Sequence, residues 1–421
     1  MILYYIPKDE FQKVTDLKVL ADMHRINILY MIQNAGSGHI GSAFSAINTM
    51  VELFYRDMGP EDVFFSSKGH DCAALYSILL AKGVIPFNEI HNFRRLCGLP
   101  GHPDPKWPGI LFHTGSLGMG LSKAQGLAIS DRLNGKKRKI YVMTGDGELQ
   151  EGQNDEALRN INRRNLLSTI DITADINGFQ CDSATNPECL HYYSKTTKGK
   201  GVSFMESNNK YHAGALSTED YLNAFGEIAA RLPKTITYEP TERRDRPFFE
   251  KANSLIPAYT EALREIFPKD EKIVLCNADL AHDCGIWEFH DHERFIEFGI
   301  AEQDMVSAAG GIAKGGFLPI VHSFAAFLCR RANEQIYNNA FEGVKIIYIG
   351  ALAGKLPPGP GPTHECLADV DLMKTIPGLE ILSPKTPEEV KTALNFAVYG
   401  TEKSTYIRLA CLPGIDGMGI W

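Results

Sequence analysis

No C-x-x-C pair occurs among the nine cysteines of this 421-residue chain, so none of them shows zinc-site spacing. Cys72, Cys276 and Cys329 lie in apolar runs, as buried free thiols do in a reducing compartment. No basic block exceeds GKKRK (Gly135–Lys139), and the net charge is −8, which argues against nucleic-acid binding. Long apolar runs are missing too. The start, MILYYIPKDEFQK, has apolar residues but no basic flank and no extended apolar core. Neither a signal peptide nor a membrane span is expected, and the expected compartment is the cytoplasm.

What is present is an alternation of helical and strand patterns, long enough for two domains or more. Helices are expected over 12–33, Ala46–Tyr55, Asp71–Ala81 and 218–231, and strands at Val63–Phe65, Lys139–Met143 and Thr169–Ala174. A polar, Pro-containing stretch without periodicity follows and reads as a linker. Beyond it come a helix over 249–266 and the strands KIVLCNADL, RFIEFGIAEQD, FLPIVHSF, KIIYIG, GLEILSP and STYIRLAC. RFIEFGIAEQD leads into a helix from Met305 to Lys314, and FAAFLCRRANEQIYNNA reads as one helix. The fold class is therefore α/β: two parallel-sheet domains with helices on both faces, 1–231 and 248–421, joined by a linker over 232–247.

The stretch TGDGELQEG places Asp146 between two glycines at a strand end. The next strand delivers Asp175 and Asn177 to the same edge, after a spacing that suits one strand–helix–strand unit. A carboxylate, a side-chain amide and a nearby carbonyl are hard oxygen ligands for Mg²⁺ or Ca²⁺. The alternative for an isolated GDG is a plain turn.

Two histidines stand beside glycine where a helix begins, His39 in SGHIG and His70 in SKGH, and the Gly/Pro-rich loop CGLPGHPDPKWPG carries His102. One such residue would be structural; two at equivalent strand ends of one α/β domain look like a site. Gly115, Gly118 and Gly120 in TGSLGMGLS suggest backbone pressed against a bulky partner, either a ligand or another helix.

GDG followed some thirty residues later by Asn resembles the diphosphate-and-metal motif of thiamine diphosphate enzymes. SGHIG, SKGH, PGHP, TGSLGMGLS, GDGELQEG, DINGFQCD and TTKGKGVSFME, in that order, resemble the transketolases. The resemblance implies that Asp146, Asn177 and the Phe179 carbonyl hold a divalent ion. His70 and His212 would contact the diphosphate, and Gly115, Ser116, Leu117, Gly145, Gly147 and Glu148 would line the cofactor. Glu302, in GIAEQ, would bond N1′ of the aminopyrimidine, and its apolar flanks would keep it partly protonated. Glu151 and Glu156 would share protons with Glu302 across a homodimer interface. Phe324 or Phe327 would stack on the pyrimidine, with ordinary core packing as the alternative, and Asp279 would sit near the thiazolium. His39 and His102 would exchange protons with the donor sugar, and His364, Arg330 and Arg408 would serve the substrate.

Several positions depart from the family. Pro360 and Leu352 replace a substrate-reading Asp and a histidine, and one phosphate-gripping arginine has no counterpart. The acceptor is thus expected to be unusual or unphosphorylated. Between Asp182 and Lys195 a family segment is shortened, leaving 192–196 to pair directly with the earlier sheet. The third domain usual in transketolases has no match here and could be a separate subunit. The expected activity is transfer of a two-carbon ketol unit between sugars or sugar phosphates. The alternatives are a decarboxylating carboligase of the deoxyxylulose-phosphate synthase type and a non-catalytic cofactor-binding subunit.

Overall fold

A computed structural model describes residues 1–180, 194–244, 255–356 and 359–411. They form two compact units: 1–180, 194–244 and 359–363 in the first, 255–356 and 364–411 in the second. Among the described residues no helix is long and apolar enough to cross a membrane.

The first unit runs β1 (Ile2–Tyr5), α1 (Lys8–Phe11), α2 (Leu17–Ala35), α3 (Ile40–Glu52), β2 (Val63–Ser66), α4 (Cys72–Ala81), α5 (Gly120–Leu133), β3 (Ile140–Gly145), α6 (Gly152–Arg163), β4 (Ile170–Ile176), β5 (Ser194–Lys195), α7 (Thr218–Ala229) and β6 (Glu239–Glu242). The Asp16 carboxylate caps α2 by accepting from the N–H groups of Lys18 and Val19, and Gly36 ends it in the left-handed region. Most of α2 and all of α4 is buried, as befits helices apolar on every side. α3 begins at Ile40, six residues before the expected start at Ala46. Ile40, Ala43, Phe44 and Ile47 are all buried at helical spacing, so the apolar period extends back to His39.

β2, β3, β4 and β5 form a parallel sheet in that order. β5 lies directly beside β4, with Asp175 opposite Ser194 and Ile176 opposite Lys195, as the shortened segment predicts. Residues 181–193, which carry the shortening itself, lie outside the described residues. The expected linker, 232–247, is built into the first unit in part: β6 pairs antiparallel with β1. Polar, Pro-containing sequence hid this strand, because an edge pair with little burial shows no apolar alternation.

The second unit contains α8 (Ile256–Ile266), β7 (Ile273–Asn277), β8 (Phe295–Glu297), α9 (Glu302–Lys314), β9 (Leu318–Phe324), α10 (Ala325–Arg330), α11 (Asn333–Phe341), β10 (Ile347–Ala353), α12 (Asp369–Met373), β11 (Glu380–Leu382), α13 (Pro387–Asn395) and β12 (Thr405–Ala410). The start of the helix expected over 249–266 falls partly outside the described residues. Six parallel strands are ordered β11-β12-β10-β9-β7-β8. β8 stops at Glu297, short of the expected run, because the Glu297 carboxylate accepts the N–H groups of Asp279 and Gly299 at 2.8 Å and turns the chain. α9 consequently starts at Glu302 rather than Met305. The single helix expected after β9 is two, α10 and α11, broken at Arg331 and Ala332.

Ile349 on the inner strand β10 is fully buried, whereas Leu133 is 82% exposed. Ile349→Ala is expected to lower unfolding stability by about 2–5 kcal/mol. Leu133→Ala should change it by no more than about 0.5 kcal/mol. Urea unfolding followed by far-UV circular dichroism checks both.

Candidate active site

Adjacent parallel strands carry Ser67–His70, Asp146–Gly147 and Asn177–Phe179 to one sheet edge, beyond the ends of β2, β3 and β4. Asp146 Oδ2 accepts the N–H groups of Asn177 (3.1 Å) and Gly178 (2.7 Å), and Asn177 Oδ1 accepts that of Phe179 (3.2 Å). The Asp146 carboxylate thus grips the backbone of the Asn177 turn on the adjacent strand end, and carboxylate and amide oxygens are donors that suit a hard cation. Among the described residues no three His, Cys, Asp or Glu side chains group as metal ligands, but a carboxylate–amide pair is a different kind of set.

Beneath this edge lies a buried ion network that the sequence reading missed. Lys68 Nζ pairs with Asp175 Oδ2, with Asp71 Oδ2 at 3.4 Å and with Ser42 Oγ at 3.2 Å. Asp175 also accepts from Ser45 Oγ (2.6 Å) and Thr196 Oγ1. Burial works to lower the Lys68 pKa, but Asp175 and Asp71 outweigh it and the net shift is upward. Burial pushes the Asp71 carboxyl up against the pull of Lys68. The usable signal was a lysine at a strand end with an aspartate three residues on, both in apolar surroundings.

Four sequence-predicted histidines converge in the first unit. The His39 ring lies 5.5, 5.8 and 5.4 Å from those of His70, His102 and His212, and His70 lies 6.1 Å from His212. Burial is the main cause that lowers all four pKa values, His102 to about 4 and His212 to about 3, with His39 and His70 well below the ordinary value. Neighbouring imidazoles, Lys68, Lys198 and Arg94 add to it. His39 Nδ1 is buried without a hydrogen-bond partner, an orphaned polar atom of the kind a ligand satisfies.

The glycine-dense loop packs against this cluster. Gly115 has φ +110°, and a Cβ there would run into the His102 ring; Leu117 adopts φ +52°. A Cβ on Gly118 would meet the Glu151 side chain at 2.8 Å. Ser116 is half-buried. Glu148 accepts from Ser67 Oγ (2.5 Å) and from the N–H groups of Gly118 (3.0 Å) and Gly145 (3.3 Å). Burial nonetheless raises its pKa to about 7. Glu151 is buried and Glu156 exposed.

In the second unit, Glu302 is buried at the start of α9. Its surroundings are not purely apolar, as its flanks suggested. Arg331 Nη1 is 2.6 Å from Glu302 Oε2, and Ser323 Oγ is 3.5 Å from Oε1. Sequence order hid the pairing, because Arg331 comes from the break between α10 and α11. Phe324 and Phe327 stack at 5.5 Å between ring centres, and His364 meets both edge-on at 6.0 and 5.3 Å. Asp279 is buried with φ +56°. Arg408 is buried, its Nε 2.6 Å from Asp369 Oδ2, while Arg330 is exposed.

Two family models match: the thiamine diphosphate binding domain of transketolase over residues 17–219, and the transketolase pyrimidine binding domain over residues 252–410. The chain belongs to the transketolase family. Human transketolase is 28% identical over 469 aligned positions, covering 95% of this chain and 75% of the human one. That stretch exceeds the 421 residues here, so the human protein carries residues within the match that this chain does not. A 1-deoxy-D-xylulose-5-phosphate synthase from Dictyoglomus thermophilum is 26% identical, covering 93% of this chain and 72% of its own. The transketolase structure from Campylobacter jejuni has the same fold, with a TM-score of 0.50 at 21% identity, covering 94% of this chain and 78% of that one.

The lowered pKa values carry a sign. An unfolded chain protonates histidine near 6.5, whereas the folded form keeps His102 and His212 neutral down to about 4 and 3. Their contribution is therefore complete above the unfolded value and is lost as pH falls through the window from 6.5 towards 4 and 3. Between pH 7 and 5 each should remove about 2 kcal/mol of stability. Denaturant unfolding at both pH values should show that slope, and it should be shallower in His102→Asn.

Proposed function

We propose that this transketolase-family protein transfers a two-carbon ketol unit from a ketose to an aldehyde, using thiamine diphosphate and Mg²⁺. The observation that carries the reading is the cluster of four desolvated imidazoles against the strand ends that bear Asp146 and Asn177. When bound, thiamine diphosphate supplies a nucleophilic carbon and an electron sink for cleaving a bond beside a carbonyl. Asp146, Asn177 and the Phe179 carbonyl would hold the metal. His70 and His212 would bind the diphosphate with the backbone of Gly115, Ser116, Leu117, Gly145 and Gly147, while Glu148 braces that loop. His39 and His102, kept neutral by burial, exchange protons with the donor hydroxyls. Glu302 would face the pyrimidine nitrogen, Phe324 and Phe327 would offer that ring an aromatic surface, and Asp279 would lie near the cofactor's other ring. We place the protein in the cytoplasm as a homodimer in which Glu151 and Glu156 share protons with Glu302. Its buried free thiols fit a reducing compartment.

Arg408 narrows the substrate. Its guanidinium is already bonded to Asp369, and a phosphate wants several unengaged cationic contacts. We therefore assign an unphosphorylated acceptor aldose, with Arg330 and His364 at the substrate's periphery.

Purified protein with thiamine diphosphate and Mg²⁺, given ketose donors and aldoses, should form chain-extended ketoses detectable by mass spectrometry. Free aldoses should be used better than aldose phosphates, and the reverse preference would reject the acceptor assignment. Glu302→Gln should lower turnover by about 10²–10⁴-fold. Release of CO₂ from pyruvate, with no ketol transfer, would point instead to a decarboxylating carboligase. Cofactor binding without any donor cleavage would point to a non-catalytic subunit.

A further inference from the structure

Two imidazoles of the histidine cluster are fixed in opposite tautomers by groups outside it. Lys198 is 2% exposed, and its ammonium has three protons to donate and no lone pair. It meets three acceptors: the Gln180 carbonyl at 2.7 Å, Asn209 Oδ1 at 2.8 Å and His212 Nδ1 at 2.7 Å. The third can only be a lone pair, so Nδ1 of His212 carries no proton and Nε2 does. The Gln180 carbonyl faces the same ring, but an N–H on Nδ1 would set donor against donor beside the ammonium. His102 is held the other way. Its Nδ1 lies 2.6 Å from the Pro360 carbonyl, which can only accept, so Nδ1 carries the proton and Nε2 the lone pair.

We propose that Lys198 is a positioning residue that makes His212 an obligate Nε2–H donor, while the Pro360 carbonyl makes His102 the proton acceptor of the cluster. During donor cleavage the substrate hydroxyl proton passes to His102 Nε2: the O–H bond breaks and the N–H bond forms, the pair released on oxygen becomes the new carbonyl bond, and the carbon–carbon bond beside it breaks with its pair left on the two-carbon fragment, for which the cofactor would serve as electron sink. His212 gives up no proton; it holds an anionic oxygen by a hydrogen bond. This division of labour rests on the ketol-transfer reading, whereas the tautomers rest on this chain alone.

Long-range ¹H–¹⁵N correlation on the full chain labelled with ¹⁵N-histidine, recorded without cofactor, reads the tautomers directly. His102→Gln and His212→Gln assign the signals. The wild type should show His212 as the Nε2–H form and His102 as the Nδ1–H form. Lys198→Met should lose the fixed His212 pattern and leave that of His102 unchanged, and Lys198→Arg, still a donor-only cation, should retain both. Calorimetric titration with thiamine diphosphate and Mg²⁺ should show binding about tenfold weaker in Lys198→Met, as for one lost charge-assisted hydrogen bond. An Nδ1–H signal for His212 in the wild type, or an unaltered His212 pattern in Lys198→Met, overturns the assignment. A protein with these tautomers but no ketol transfer would refute the activity and leave the assignment standing.

Discussion

The site depends on an ammonium kept out of water. Lys68 extends from the loop after β2, and the carboxylates that neutralise it come from the start of α4 and the end of β4. A lone buried lysine would be several kcal/mol too costly to keep charged. With Asp71 and Asp175 in place, the charge instead locks the ends of strands that are not neighbours in sequence. Ser42 and Ser45 bring α3 into the same network, and Thr196 brings in the segment after β5. Because the loop that holds Lys68 also holds His70, whose Nδ1 lies 3.2 Å from the Lys68 carbonyl, the ion pairing beneath helps to fix the position of that imidazole.

Desolvation does the complementary work above. The four imidazoles stay neutral because burial and neighbouring positive charge both disfavour a further proton. A neutral imidazole can accept at one nitrogen and donate at the other, which a charged one cannot. In the second unit the logic is reversed: Glu302, Ser323 and Arg331 form a polar knot in an otherwise apolar setting, with the Arg331 guanidinium 4.8 Å from the centre of the Phe327 ring.

Much of this was legible in the residue order. Alternating apolar runs located both parallel sheets, and the glycine-flanked histidines do converge, although His39 sits in the turn between α2 and α3 and not at a strand end. The GDG and DING stretches announced neighbouring strand ends, and the Asp146 carboxylate does reach the backbone of Asn177 and Gly178. Three things escaped because they depend on partners distant in sequence. Lys68 and Lys198 read as ordinary charges until burial and their acceptors were known. Arg331 lay in what looked like one continuous helix. β6 lay in polar sequence with no alternation, and only its pairing with β1 makes it a strand.

That pairing has a consequence for how the first unit can be handled. β1 and β6 place residues 2–5 beside residues 239–242, in the register Ile2 opposite Glu242 to Tyr5 opposite Glu239. Residues 2–5 and 239–242 are thus clasped together, like a purse with the drawstring at one point. Reordering the chain by joining those neighbouring ends and opening a surface turn elsewhere would preserve every strand contact of the parallel sheet.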